Sequence, residues 1–272
     1  MQAMIFAAGL GTRLRPLTDT KPKALIEING KTLLERNIEK MVSYGIETIV
    51  VNIHHFPDMM TEFIKKIAKK YDCNMIISDE RQELLDTGGG FLNARNLLCN
   101  NTEIKCRNSK FFSEKSKMFS ENNLMKRHFS SESLDDNLIL LHNVDILSDI
   151  DFNDMPKKFA ESSPLALLAV QKRDTQRYLI FNEENELCGW TNLKTNEKII
   201  TRKCKQENLY AFSGVHLVSN EIFEKITQKG VFSITDMYLK LSENNIIKPY
   251  IHNGLWIDTG KLSSIEKAEQ MF

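Results

Sequence analysis

The chain has 272 residues, and its 36 Lys and Arg are balanced by 36 Asp and Glu. Zero net charge argues against a general nucleic-acid or membrane-surface binder, which usually carries a basic excess. The five cysteines form no Cys-x-x-Cys pair, which disfavours a zinc ribbon or a redox motif. No apolar run approaches the roughly 18 residues of a membrane span, and the first run is too short for a signal peptide. We therefore expect a cytoplasmic protein without nucleic-acid or membrane partners.

The N-terminal stretch predicts a strand followed by a phosphate-binding loop. Residues 4–8 are apolar enough for a buried strand, and Gly9 and Gly11 follow directly. Glycine lets the backbone approach a ligand closely because it has no Cβ, and successive N–H groups in such a loop hold anionic oxygens. Four cationic side chains lie within eleven residues: Arg13, Arg15, Lys21 and Lys23. A polyphosphate is the simplest ligand for this combination.

Other readings of this loop are weaker. A dinucleotide-binding fingerprint needs a third glycine where Leu14 stands, which disfavours an NAD-binding oxidoreductase. A Walker A loop needs Gly-Lys-Ser/Thr, which is absent. The plain structural alternative is a strand and a turn with a basic, solvated loop.

The sixteen positions from Ala8 to Lys23 resemble the signature of the sugar-1-phosphate nucleotidyltransferases. The match includes Ala-Gly-Leu-Gly-Thr-Arg-Leu, then Pro-Leu-Thr and Lys-Pro-Lys. The resemblance implies an α/β fold, a Rossmann-like three-layer sandwich with a mixed, mostly parallel central sheet. It also implies one nucleotidyltransferase domain over residues 1–272. By the same resemblance, Arg13 neutralises the leaving pyrophosphate and Lys23 contacts the α-phosphate or the sugar phosphate. Nucleotide binding is implied for Ala8, Gly9, Gly11, Thr12 and Arg13.

The next elements predict alternating strands and helices. A helix is indicated over 34–42 with Gly45 behind it, a strand around 49–51, a helix from Pro57, and a strand over 74–78. The order β-α-β-α-β predicts a parallel sheet with right-handed crossovers. Two adjacent histidines, His54 and His55, follow the second strand, but neighbouring residues on a strand point to opposite faces and make a poor metal pair.

Residues 84–90 end in three glycines, which we expect to precede a helix over 91–98. Glycines at a helix N-terminus favour an anion, and a simple loop-to-helix join is the plain alternative. The resembled family has a Leu-Gly-Thr-Ala-Gly-like segment here that cradles the nucleotide base. Thr87, Gly88 and Gly89 match it, and Asp86 replaces a glycine.

Residues 100–136 are rich in Ser, Asn, Lys and Glu and show no helical or strand period. This composition predicts a flexible insertion between two core elements. Family members pass quickly from the helix to the next strand, so this segment departs from their pattern. A solvated loop is favoured over a lid or a partner-binding element.

The apolar residues 138–141 predict a buried strand that ends at Asn143 and Asp145. Ligands of open α/β sheets bind beyond the carboxyl ends of strands, and Mg²⁺ takes one or two carboxylates plus phosphates and water. A helix cap or turn is the plain alternative for this aspartate. In the resembled family an Asn-Gly-Asp triplet stands here, which implies a metal ligand at Asp145 and a sugar-phosphate contact at Asn143; Val144 replaces the glycine.

The C-terminal half predicts a strand at 165–170, a hairpin of 178–181 with 186–190, and a strand containing Gly214. A glycine inside a strand suggests a bulge or a close ligand, and the family's glycine lies under the sugar. The family's Glu-Lys-Pro triplet, whose Lys touches the sugar phosphate, is absent. Three lysines are candidates for its role, none of them assignable: Lys194, Lys198 and Lys203.

Helices are expected at 219–227 and 233–241. Beyond them, residues 255–260 resemble the family's Trp-x-Asp-x-Gly motif, which implies that Asp258 is the second Mg²⁺ ligand. A loop acid is the plain alternative.

The resemblance as a whole implies Mg²⁺-dependent transfer of a nucleotidyl group from an NTP, with UTP favoured, to a sugar 1-phosphate. The alternatives are a GTP-using mannose- or heptose-1-phosphate guanylyltransferase and a non-catalytic nucleotide- or sugar-phosphate-binding relative. We expect a monomer or a small homo-oligomer.

Overall fold

The computed structural model describes residues 1–99 and 137–272. The insertion predicted at 100–136 lies outside the described residues. The strands, in chain order, are β1 (Gln2–Phe6), β2 (Glu27–Ile28), β3 (Lys31–Thr32), β4 (Thr48–Ile53), β5 (Asn74–Asp79), β6 (Leu138–Asn143), β7 (Ile146–Ser148), β8 (Ala166–Gln171), β9 (Arg177–Phe181), β10 (Leu187–Asn192), β11 (Glu197–Ile200), β12 (Asn208–Ser219), β13 (Ile247–Ile251) and β14 (Trp256–Asp258). The helices are α1 (Leu33–Ser43), α2 (Pro57–Tyr71), α3 (Asp86–Asn93), α4 (Arg95–Cys99), α5 (Asp154–Ser162), α6 (Ile222–Lys225), α7 (Ile234–Ser242) and α8 (Leu262–Met271).

The central sheet is mixed and mostly parallel. Strands β5, β4, β1 and β6 pair in parallel, with Ile5 of β1 opposite Val51 of β4 and His142 of β6. Strand β12 is antiparallel to β6 and to β8, and β13 is parallel to β8. Six of these seven strands therefore run the same way and β12 is reversed. The antiparallel strands β9, β10 and β11 extend from the first residues of β12. The predicted fold class is confirmed.

Both faces of the sheet are covered by apolar side chains. Ala3 and Ile5 of β1 belong to the core that includes α1 and α2, whereas Met4 and Phe6 belong to the core that includes α7. Successive residues of a strand point to opposite faces, so β1 is buried on both sides and the molecule has three layers. Helix α1 ends where the sequence predicts, because Gly45 has φ +78°.

The N-terminal boundary predicted for the helix over 91–98 is wrong. Helix α3 begins at Asp86, so the three glycines lie inside it. They permit close packing: a Cβ on Gly88 would lie 2.5 Å from the Phe232 ring, and a Cβ on Gly89 would lie 2.3 Å from the Gly230 carbonyl oxygen. The helix expected over 219–227 shrinks to the four residues of α6. Across residues 1–99 and 137–272, no helix combines the length and apolarity needed to cross a bilayer.

Candidate active site

A cleft of about 420 Å³ opens at the carboxyl ends of β1, β4 and β6. Its walls include Phe6 and Asn143, the last residues of β1 and β6, and Asn52, the last but one of β4. Six residues predicted from the sequence line it: Ala8, Gly9, Lys23, Thr87, Asn143 and Asp145. The other predicted residues lie outside this lining: Gly11, Thr12, Arg13, Gly88, Gly89, Gly214 and Asp258.

The two glycines of the N-terminal loop have different structural requirements. Gly11 has φ +64°, precedes a 3₁₀ turn, and accepts a hydrogen bond from the Thr18 hydroxyl at 2.9 Å. A Cβ on Gly11 would lie 2.9 Å from Cγ2 of Thr18, so the loop itself requires glycine there. A Cβ on Gly9 would meet no protein atom within 4 Å. Because Gly9 lines the cleft, any requirement for glycine there comes from what binds in the cleft.

Asn52 anchors the end of β1, and the sequence reading missed it. Its Oδ1 accepts the Ala7 N–H at 2.7 Å, and its Nδ2 donates to Glu80 Oε1 at 2.8 Å. Ala7 therefore leaves the strand ladder, which is why the predicted strand over 4–8 ends at Phe6. Burial raises the pKa of Glu80, and the bond from Asn52 partly offsets that shift. The available signal was an Asn near the carboxyl end of a strand that was predicted to lie in the same parallel sheet as β1.

Lys23 reaches across the cleft to Asp145. Its Nζ forms an ion pair with the Asp145 carboxylate, and the two side chains are only 12% and 16% exposed. Removing either partner would leave a largely buried charge, which is costly. The sequence predicted each residue separately, and the structure brings them together.

Asp145 and Asp258 are held close by main-chain bonds. Strands β7 and β14 are antiparallel, with Ile146 opposite Asp258. The amide and the hydroxyl of Thr259 each donate to the Asp145 carbonyl oxygen at 2.9 Å. On the other side, Asn37 Nδ2 donates to the Val144 carbonyl oxygen at 2.9 Å. The main chains of Asp145 and Asp258 are therefore held next to each other, although only Asp145 lines the cleft.

Arg13 lies beside Asp258. A Cβ placed on Gly260 would be 2.6 Å from Nη2 of Arg13 and 2.7 Å from Oδ1 of Asp258, which itself accepts the Gly260 N–H at 2.7 Å. The guanidinium and the carboxylate thus border the same small space. A side chain at position 260 would displace the ends of both of these side chains.

The segment predicted to hold the base is clamped to the loop before α7. The N–H groups of Gly88 and Gly89 donate to the Phe232 carbonyl oxygen at 2.9 and 3.1 Å, and the Thr87 hydroxyl accepts the Ile234 N–H at 2.9 Å. The Gly88 and Gly89 amides are therefore already bonded within the protein. Asp86 and Thr87 face the cleft instead. Asp86 has φ +58°, a conformation that glycine adopts freely and Asp tolerates, which explains how Asp replaces the family's glycine.

Gly214 sits against Asn143. The pairing of β12 with β8 shifts register between Phe212 and His216, and Gly214 has φ +71°, so the predicted bulge is confirmed. A Cβ on Gly214 would lie 2.8 Å from Nδ2 of Asn143. The Oδ1 of Asn143 is buried and has no hydrogen-bond partner among the described residues. It is an unused acceptor at the edge of the cleft.

The sequence matches a known family. Residues 2–131 match the model of the nucleotidyl transferase family. The chain is 46% identical over 97 residues to an N-acetylmuramate alpha-1-phosphate uridylyltransferase of Caulobacter vibrioides, which covers 35% of this chain and 40% of that protein. It is 26% identical over 271 residues to the protein of that name from Neisseria meningitidis serogroup B, covering 100% and 98%. It is 39% identical over 101 residues to a mannose-1-phosphate guanyltransferase of Schizosaccharomyces pombe, covering 37% and 28%. The chain thus spans less than half the length of two of these relatives.

Solved structures share the fold. HddC from Yersinia pseudotuberculosis complexed with GMP-PN superposes with a TM-score of 0.66 at 21% identity, covering 100% of this chain and 99% of that one. UDP-glucose pyrophosphorylase complexed with UDP-glucose gives a TM-score of 0.67 at 16% identity, covering 100% and 98%.

Proposed function

We propose that the chain, which is similar to the nucleotidyl transferase family over residues 2–131 and to two N-acetylmuramate alpha-1-phosphate uridylyltransferases, transfers a nucleotidyl group from a nucleoside triphosphate to a sugar 1-phosphate. The observation that supports this best is the meeting of Lys23, from the glycine loop, with the carboxylate of Asp145 inside the cleft. A cation and a carboxylate held together beside a glycine loop suit a site that positions phosphates.

The reaction requires no protein nucleophile. An oxygen of the sugar phosphate attacks the α-phosphorus, the bond from that phosphorus to the bridging oxygen breaks, and pyrophosphate leaves with the electron pair. The attacking group is already an anion, so no strong base is needed. What the protein must supply is positioning and neutralisation of charge.

The residues of the loop have distinct proposed roles. The backbone of Ala8 and Gly9 borders the cleft where the phosphates bind, and Gly11 and Thr12 shape the loop behind it. Lys23 contacts the α-phosphate or the sugar phosphate. Arg13 neutralises the leaving pyrophosphate.

A second set of residues faces the base and the sugar. On the base side, Thr87 borders the cleft, whereas Gly88 and Gly89 act through the packing of α3. Asn143 and Gly214 lie on the proposed sugar-phosphate side, where Asn143 borders the cleft and Gly214 packs against its side chain.

The proposed magnesium site consists of Asp145 and Asp258. Within the described ranges no group of three or more His, Cys, Asp or Glu side chains is arranged for a metal, so the protein would contribute these two carboxylates. Mg²⁺ binds with one or two carboxylates when substrate phosphates and water complete its shell. When bound, it would neutralise charge on both phosphates.

UTP and N-acetylmuramate 1-phosphate are the proposed substrates. The similarity to the Neisseria uridylyltransferase runs over 271 residues, and the Caulobacter protein of the same name is 46% identical over 97 residues. A guanylyltransferase acting on mannose 1-phosphate is the second candidate, because a relative of that name is 39% identical over 101 residues.

A pyrophosphate-release screen tests the proposal. Four NTPs are each combined with a panel of sugar 1-phosphates that includes N-acetylmuramate 1-phosphate and mannose 1-phosphate, with Mg²⁺. We expect release with UTP and N-acetylmuramate 1-phosphate. No release with any pair would contradict transfer and favour a nucleotide-binding module.

A further inference from the structure

A second cavity, of about 480 Å³, adjoins the cleft. Three aromatic side chains line it, Tyr178, Trp190 and Phe212, together with the guanidinium of Arg173. The two spaces share one wall, the segment before and at the start of α7. Val231 of this segment lines the cleft, and Ser233 and Thr235 line the second cavity.

Arg173 occupies a fixed position between this cavity and Asp258. Its guanidinium carbon lies 3.7 Å from the centre of the Trp256 ring, and its Nη2 donates to the Phe212 carbonyl oxygen at 2.7 Å. Trp256 is itself held, because its indole N–H donates to the Ser213 carbonyl oxygen at 2.9 Å. Trp256 and Asp258 are alternate residues of β14 and share one face. Arg173 therefore lies on the side of β14 that presents the Asp258 carboxylate.

The guanidinium of Arg173 has unused hydrogen-bonding capacity. The bond to Phe212 is the one hydrogen bond that its side chain makes within residues 1–99 and 137–272, and its buried Nε has no partner there. Burial lowers the pKa of Arg173 and the nearby Asp258 carboxylate offsets part of this shift. Arginine nonetheless stays charged at any physiological pH.

The three lysines considered from the sequence lie elsewhere. Glu197 and Ile199 of β11 line the second cavity, so Lys198 between them points to the other face, where its Nζ pairs with Glu207 at 2.7 Å. Lys194 and Lys203 are exposed and line neither the cleft nor the cavity. None of the three borders the space beside Asp258.

We propose that Arg173 binds the phosphate of the sugar 1-phosphate and that the second cavity receives the sugar ring. This inference rests on the proposed nucleotidyl transfer and names the acceptor subsite of that reaction. A guanidinium held against the Trp256 ring keeps donors for a phosphate, to which arginine can make paired hydrogen bonds. The aromatic side chains Tyr178, Trp190 and Phe212 pack against the C–H faces of the ring, and Ser233 and Thr235 supply hydroxyls.

The chain offers a built-in reporter for this subsite. It has two tryptophans, of which Trp190 lines the cavity and Trp256 stacks on Arg173. Tryptophan emission is followed while N-acetylmuramate 1-phosphate, mannose 1-phosphate or inorganic phosphate is added to the full chain. We expect a saturable change with a sugar 1-phosphate. In Arg173→Gln the apparent Kd should rise about tenfold or more, and Arg173→Lys should recover part of the loss.

Matched measurements separate this role from a structural one. Lys198→Gln, on the far face of β11, should titrate like wild type. In turnover, Arg173→Gln should raise KM for the sugar 1-phosphate about tenfold and change KM for UTP less than about twofold. An unchanged UTP affinity in the variant shows that the fold and the cleft are intact.

The outcomes separate the two proposals. Equal titrations and equal sugar KM values for wild type and Arg173→Gln would overturn the assignment of Arg173, even if the chain is an active transferase. No emission change with either sugar 1-phosphate would overturn the subsite. An Arg173-dependent titration in a chain that releases no pyrophosphate would support the subsite while contradicting nucleotidyl transfer.

Discussion

Thr259 donates two hydrogen bonds to the carbonyl oxygen of Asp145, one from its amide and one from its hydroxyl, both at 2.9 Å. The two residues are 114 positions apart in the chain. Because Thr259 follows Asp258, these bonds fix the main chain under both proposed metal ligands. Thr259 is fully buried. It is therefore a positioning residue for Asp145 and Asp258 and not itself a proposed metal ligand.

Thr259→Val removes one of these bonds and keeps the size of the side chain. The lost hydrogen bond should cost about 1 kcal/mol of the free energy of unfolding. Because Asp145 loses one restraint, kcat should fall severalfold while KM for the NTP stays near wild type. Thr61→Val is the matched control: its hydroxyl donates at 2.8 Å to the Pro57 carbonyl oxygen, within α2. An equal loss of kcat in both variants would argue against a positioning role.

Asp145→Asn and Asp258→Asn test the proposed metal ligands. Each should lower Mg²⁺-dependent pyrophosphate release by at least about a hundredfold, because an amide does not supply the negative charge that Mg²⁺ binds. Asp145→Asn should also lower stability, since Lys23 loses its buried partner. Asp154→Asn, which alters a carboxylate bonded to the Tyr250 hydroxyl at 2.9 Å, should keep full activity. Near-wild-type turnover in either of the first two variants would rule out that ligand.

Gly9→Ala and Gly11→Ala should separate ligand binding from folding. A Cβ on Gly9 meets no protein atom within 4 Å. The free energy of unfolding of Gly9→Ala, measured in urea, should therefore change by less than about 0.5 kcal/mol. Because Gly9 lines the cleft, we expect the added methyl group to crowd a bound phosphate and to raise KM for the NTP about tenfold. At Gly11, alanine would be strained by the positive φ and its Cβ would clash with Thr18. The free energy of unfolding should therefore fall by about 1–3 kcal/mol. A wild-type KM in Gly9→Ala would show that the phosphates do not bind against this loop.

His216 should make the fold sensitive to acid. It is fully buried, its Nδ1 is bonded to the Tyr238 hydroxyl at 2.6 Å, and burial lowers its pKa from 6.5 to about 3. The unfolded chain takes up a proton below pH 6.5 and the folded chain does not. The stability present above pH 6.5 is therefore lost as the pH falls towards 3, by up to about 1.4 kcal/mol per pH unit. Urea unfolding between pH 7 and 5 measures this slope.

His216→Gln provides the comparison, because glutamine can still bond Tyr238 but does not titrate. The slope of the unfolding free energy against pH should be shallower in this variant, because unfolding takes up about one proton fewer. An identical slope in wild type and variant would show that His216 does not carry the acid sensitivity.

Local patterns in the sequence were sufficient to predict most of the fold. Apolar runs and helix periods placed the alternating strands and helices of the first 79 residues, and Gly45 and Gly214 marked a helix end and a bulge. Asp145 follows a strand of the parallel sheet, so its place at the carboxyl edge could be predicted, whereas Asp258 reaches it through the antiparallel pair of β14 with β7. These features depend on neighbouring residues, which a single sequence contains.

The remaining features depend on contacts between distant parts of the chain. Positions 88 and 89 require glycine because the loop of Gly230 and Phe232 packs against them. The residues around position 88 do not indicate that this distant loop packs there. Likewise, Arg173 is an ordinary charged residue in the sequence until Trp256 is placed against it. Sequence reading therefore located the glycine loop and the carboxylates and missed the residues that position them.

Transfer of label from UTP is the most direct test of the proposed reaction. The chain is incubated with Mg²⁺, N-acetylmuramate 1-phosphate and UTP labelled at the α-phosphorus, and the products are separated. We predict that the label appears in a sugar nucleotide together with an equal amount of pyrophosphate, and that Asp258→Asn yields neither. Label found in UMP would contradict nucleotidyl transfer, because it would show hydrolysis of UTP. The absence of any labelled sugar nucleotide with every sugar 1-phosphate and every labelled NTP would contradict it as well.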